Sequence, residues 1–209
     1  MLNKNFIFFI IILFNLIFSN VSSNDQLNFD ISQIEILDGG NKIIGKKRGK
    51  ITSNNGITVD ADQFEYDKIN NILKASGNIK IKDKINKYEV SSQNIIYFKD
   101  DEKIKIDGKS EFLINSNYNF KTEDITILRE EKIISSDKNA TIVNKKNQTL
   151  YEIGKFSYSL TNEILKGENF FINTKYNQPF SDKYFFKTAI FNLKDQSYIA
   201  QDIDINLKK

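Results

Sequence analysis

The sequence predicts an all-β fold, an antiparallel sheet assembled from stacked strand–turn–strand units. Three observations predict it. From about Asn28 onward, apolar and polar residues alternate with period two, as strands with one dry and one wet face must. The phrase Ile57–Lys82, ITVDADQFEYDKINNILKASGNIKIK, returns after about thirty residues, and a fixed period of that size marks a stacked architecture. Pro179 is the single proline in 209 residues, so strand donors run almost uninterrupted.

The elements follow in chain order. Lys4 precedes an apolar run, Phe6 to Phe18, broken only by Asn15, and small residues follow to Ser23. That pattern predicts a secretory signal peptide over residues 1–23. The run is shorter than the roughly 20 residues a membrane span needs; an uncleaved signal anchor is the alternative. Either form places the remainder, a single domain over residues 24–209, outside the cytoplasm. The chain has no Cys, which excludes a lipid anchor on cysteine and favours a bacterial periplasm over an oxidising eukaryotic route.

A looser half-unit, Ile34 to Ile51, precedes the first full one. In that first unit Val59, Ala61, Phe64 and Tyr66 alternate, Asp67-Lys68 and Asn70-Asn71 turn the chain, and Leu73, Ala75, Gly77, Ile79 and Ile81 form the returning dry face. The second unit repeats this with Val90, Ser92, Ile95 and Tyr97, then Ile104, Ile106, Gly108 and Phe112. The third carries Phe120, Thr122, Ile125 and Ile127, then Ser136, Ala140 and Ile142. The fourth has Ile153, Phe156 and Tyr158, then Gly167, Phe171 and Ile172. The last has Phe186, Thr188, Phe191 and Leu193, then Ile199, Ala200, Ile203 and Ile205. Ala61 to Phe64 and Ser92 to Ile95 each break strict alternation with a three-residue step. An odd step implies a bulge or bend. Repeated at one level, it folds the sheet into a slot with two walls, or it marks the corner of an ordinary sandwich.

Composition narrows the chemistry. No Cys and no His are present, which removes thiol nucleophiles, thiolate metal sites and the commonest general base. A net charge of +3 is too mild to argue for nucleic acid. Asp60 and Asp62 share a strand face, as a glycosidase or lyase pair would, but a solvated polar face is the plainer account. No catalytic, metal or cofactor site is expected. Lys46, Lys47 and Arg48, within Gly45–Lys50, form the one dense basic patch. They are candidate phosphate contacts, or a solvated turn. The dry face is the remaining candidate site: a packed core, or a slot that accepts an acyl chain. Its candidate lining is Val59, Ala61, Phe64, Tyr66, Leu73, Ala75, Ile79, Ile81, Val90 and Ile95, continuing through Ile104, Ile106, Phe112, Phe120, Ile125, Ile142, Phe156, Phe171 and Phe191.

The stretch Asp60–Asp83 resembles the repeat of the OstA-like domain of lipopolysaccharide-transport proteins. Ala61-Asp62, Phe64, Tyr66-Asp67, Ala75, Gly77-Asn78-Ile79 and Ile81 carry the resemblance, echoed at Ser92–Tyr97 and Gly108–Ile114. The family includes a free-standing periplasmic bridge protein, LptA, and the N-terminal domain of the outer-membrane assembly protein, LptD. Phe191-Asn192-Leu193-Lys194 and Ile199–Ile203 make the second the nearer. The chain ends at Lys209, where that protein's barrel would follow, and lacks the cysteines many members use to link domain and barrel. Both a shortened LptD and a standalone OstA-like protein are therefore kept. The resemblance implies a V-shaped, slightly twisted β-jellyroll whose slot carries the acyl chains of lipopolysaccharide. It also implies partners joined end to end by strand pairing, an outer-membrane barrel in the LptD-like case, and a location in the periplasm.

Overall fold

The computed structural model describes residues 27–206, so the signal-peptide expectation for residues 1–23 lies outside the described residues. Alternating residues with few prolines give strands almost throughout. The first six are β1 (Leu27–Ile31), β2 (Ile34–Leu37), β3 (Lys42–Gly45), β4 (Gly49–Ser53), β5 (Ile57–Ala61) and β6 (Gln63–Asp67). Four long strands follow: β7 (Ile72–Asp83), β8 (Tyr88–Phe98), β9 (Lys103–Ile114) and β10 (Tyr118–Leu128). Then come β11 (Ile133–Ser136), β12 (Ala140–Asn144), β13 (Thr149–Ile153), β14 (Lys155–Ser159), β15 (Ile164–Asn173), β16 (Lys183–Asn192) and β17 (Ser197–Asn206). A 3-10 turn at Asp38–Gly40 is the one helical element among the described residues.

Every pairing is antiparallel, and the pairings sort into two layers. One runs β1–β4–β5–β7–β8–β9–β10–β12–β13–β15–β16–β17. The other runs β2–β3–β6–β7–β8–β9–β10–β11–β14–β15–β16–β17. The long strands belong to both. Ile72–Asp67 pairing puts the first half of β7 beside β6, while Asp60–Lys80 pairing puts its second half beside β5. One sheet is thus folded along a line across its strands. The expected all-β antiparallel jellyroll is what the chain forms, and the odd steps at Ala61–Phe64 and Ser92–Ile95 fall on the fold line.

The first unit shows how the bend is made. Asp62 leaves the strand between β5 and β6, and its N–H donates to the Gly77 carbonyl at 3.0 Å. Its carboxylate accepts from Asn78 Nδ2 at 2.7 Å and from Arg48 Nη1 at 2.8 Å. Gly77 sits at φ 77° and Asn78 at φ 45°, a left-handed pair that Gly and Asn adopt most readily. A Cβ on Gly77 would lie 2.7 Å from Asp62 Oδ2. Ala61-Asp62 and Gly77-Asn78 are therefore the two sides of one corner. The fourth unit rebuilds it with Gly154 N–H donating to Glu168 O at 2.9 Å beside a left-handed Asn169. Gly108, Asp124 and Asp202 bend their strands in the same left-handed way.

Three expectations are corrected by this line. Gly77 is no member of a dry face; the strand slips register between Ser76 and Ile79, so the inward residue steps from Ala75 to Ile79. Phe171 lies on the outer surface, its ring 4.8 Å from that of Phe185. The left-handed Asn169 adds a residue to the bend, which reverses the phase and turns Phe170 inward, 2% exposed. The last unit errs likewise at Ile199, which points out and is 75% exposed.

The core lies between the layers. Phe112 and Phe120 of one layer stack at 4.5 Å, and Phe156 of the other meets them at 6.3 and 5.8 Å. Phe120 is fully buried. Phe120→Ala is expected to cost about 3–5 kcal/mol in urea denaturation, while Phe171→Ala, on the outer face, costs under about 1 kcal/mol. Equal losses would contradict the phase reversal at Asn169.

Candidate functional site

Period-two alternation, once folded at the corner, directs one face of every strand at its counterpart in the other layer. The interior that results is apolar from end to end. Every residue of the expected lining except Phe171 is buried within it. The resulting interior is packed rather than hollow. It opens at the β17 end, in a recess of about 190 Å³ between Tyr151, Ile172, Tyr184, Phe186, Phe191 and Tyr198.

Each end of the folded sheet presents strands that, among the described residues, are paired along one edge only. Among the described residues β17 pairs with β16 alone, β1 with β4 alone and β2 with β3 alone. On β17 the residues facing the interior are held by register with β16: Tyr198 lies opposite Phe191, Ile203 opposite Phe186 and Ile205 opposite Tyr184. They are about half exposed, at 48%, 53% and 50%. Tyr198 stacks on Phe191 at 5.1 Å and meets Phe186 at 5.4 Å, so the core continues onto the last strand without a cap. At the other end Phe29 reaches Tyr66 across the layers at 5.8 Å, and Ile34 and Ile36 are exposed. The sequence reading placed β2 in the looser half-unit Ile34 to Ile51 and singled out neither β1 nor β2 as an edge, because both strands are short and outside the clear repeats.

Opposite the bend, two rows of turns meet along a seam. Arg129, in the β10–β11 turn, is buried there. Its Nη2 reaches Asp83 Oδ2 at 3.3 Å and the Asn55 carbonyl at 3.2 Å, while Nη1 donates to Glu102 and to the Tyr97 hydroxyl. The Tyr97 hydroxyl donates to Glu102 Oε1 at 2.7 Å, and Asn55 Nδ2 donates to the same oxygen at 3.1 Å. Further along, Asn115 Nδ2 donates to Glu163 Oε1 at 3.2 Å and Tyr118 Oη to the Leu193 carbonyl at 2.8 Å. The sequence held a faint signal for this seam. Tyr66 bonds Asn71 as Tyr97 bonds Glu102, at the same five-residue spacing.

The polar candidates from sequence go elsewhere. Lys46 pairs with Glu35 at 2.5 Å, Arg48 belongs to the Asp62 corner, and Lys47 is exposed. These are exposed pairs of small energetic consequence. Asp62 is committed to the bend, where Arg48 and Asn78 hold its carboxyl below the usual range. Asp60 points outward from β5, opposite Lys50 and Lys80. The two carboxylates do not converge on a cleft.

Burial acts on the phenols. It pushes the hydroxyls of Tyr88, Tyr97, Tyr151 and Tyr158 well above the ordinary tyrosine range, and Glu102 adds to the effect at Tyr97. The neutral form is thus favoured in the fold. A raised folded pKa gives stability present below the unfolded value, about 10, and lost as pH rises through the folded one. The urea midpoint is expected to fall steeply above about pH 10. An ultraviolet phenolate titration should show these tyrosines ionising only as the chain unfolds. Ionisation of all tyrosines in the folded state would contradict it.

No family model matches the chain, and no curated protein matches it. Among solved structures the chain is similar to LptH of Pseudomonas aeruginosa, the LptA homologous periplasmic component of a lipopolysaccharide transport device. The two are 11% identical with a TM-score of 0.31, over 73% of this chain and 95% of that one.

Proposed function

We propose that this chain is a periplasmic lipid-conduit domain rather than an enzyme. It relays lipopolysaccharide toward the outer membrane by enclosing acyl chains between its two layers. The observation that carries this is an apolar interior that runs the length of the folded sheet and ends uncapped on β17, beside an unpaired strand edge. Burying acyl carbons contributes about 0.8 kcal/mol per CH₂, and an exposed edge accepts a strand from the next protein in line. The OstA-like resemblance of Asp60–Asp83 and the secretory pattern of the N-terminus support the same role. Of the two family forms, the N-terminal domain of LptD is the nearer by its last repeat, and a free-standing LptA-like bridge uses the same features. Lipopolysaccharide and other OstA-like proteins, joined at β1, β2 and β17, are the partners. The LptD-like form adds an outer-membrane barrel.

The packed interior favours a second reading, a closed structural module without a ligand. A recess of about 190 Å³ is below the roughly 300 Å³ at which ligand sites begin. Photo-crosslinking amino acids at Phe64, Ile95 and Tyr198 are expected to capture lipopolysaccharide, and ones at Lys80 and Lys105 are not. Equal labelling of the two sets, or labelling of neither, would sink the conduit and leave the structural module.

A further inference from the structure

We propose that the seam between the two rows of turns is the slit through which an acyl chain is loaded, and that Arg129 is its latch. This rests on the lipid-conduit reading. The bonding along the seam carries the inference. Each row of turns is sewn lengthwise by backbone hydrogen bonds. In one row Lys84 N–H donates to Gly56 O, Asn115 to Lys87 and Lys145 to Asn117; in the other Lys99 donates to Asn71, Arg129 to Glu102 and Leu160 to Lys132. Among the described residues no backbone–backbone bond crosses from row to row. The hydrogen bonds across the seam all involve side chains: Arg129 to Asp83 and to the Asn55 carbonyl, Asn55 to Glu102, Asn115 to Glu163, and Tyr118 to the Leu193 carbonyl. The opposite side is the bend, where every long strand passes covalently from layer to layer. Of the two long sides, only the seam parts without breaking a strand.

The chemistry of the latch suits reversible opening. An apolar seam would expose its area to water at about 25 cal/mol per Å². An ion-paired seam regains hydration as it parts, and a buried pair is itself weakly stabilising because its desolvation offsets the attraction. Glu102 already touches water, its side chain 19% exposed. The Tyr158 hydroxyl, fully buried near the same row, has no hydrogen-bond partner among the described residues and would gain one on opening. A lipid admitted here keeps its polar head outside while its chains enter sideways, which a packed interior with a small end recess does not otherwise allow.

The chain has no Cys, so introduced thiols report cleanly. Asn115→Cys with Glu163→Cys is joined across the seam by a short reversible bis-thiosulfonate. Asn117→Cys with Lys145→Cys, joined within one row, is the control. Uptake of a fluorescent tetradecanoyl probe is followed before and after linkage and after reduction. The seam-linked chain is expected to take up probe at least about tenfold more slowly, with the rate restored by reductant, and the control is expected to be unaffected. Glu102→Gln, which weakens the latch, speeds uptake. Unchanged uptake in the seam-linked chain overturns the slit and leaves the conduit standing. Uptake by no form, the unmodified chain included, removes the conduit and the slit with it.

Discussion

The structure depends on the corner that Asp62, Gly77 and Asn78 build. Without a bend, alternating strands of this length would make a flat sheet with one greasy face and no way to cover it. The left-handed pair in one strand and the departing Asp62 in the next let the same sheet serve as both walls of its own interior. The corner is polar and local, whereas the core it creates is apolar and long-range. Each then enforces the other, since the register on either side of the fold line is fixed by which residues face inward.

The two long sides of the molecule are built from unlike materials. At the bend, continuity is covalent. At the seam it is a set of side-chain contacts around Arg129, Asp83 and Glu102, three ionisable groups drawn from three turns far apart in sequence. An apolar closure would serve as well for stability alone. The protein therefore has one side that is permanently shut and one whose closure is conditional. Its two ends differ again, the first made of two short strands and the last of one strand that serves both layers.

Much of this was legible in the sequence because period two is a strong signal and the repeat averages out local noise. Alternation gave the strands, and the step from Ala61 to Phe64 marked the fold line. Alternation failed at that line itself. Gly77 read as one more dry position because the left-handed pair Gly77-Asn78 takes two residues out of the alternation, and Phe171 read as an inward ring because the single left-handed Asn169 shifts the phase; neither alters composition. Gly-Asn inside a strand was the available warning. The seam was nearly invisible, since Asp83, Glu102 and Arg129 look like any other turn charges until the fold brings the rows together. Whether the interior was packed or open likewise depended on side-chain volumes meeting across layers, which alternation does not record.

The turn-to-turn bonds that sew each row have a consequence for size. Neighbouring strands lie about 4.8 Å apart, and each unit adds two strands to each layer. The length of the interior therefore changes in steps of about 9–10 Å, one unit at a time, with corner and seam simply continued. Distance spanned is set by how many units the gene encodes, and a lineage could lengthen or shorten this protein without redesigning any cross-section of it.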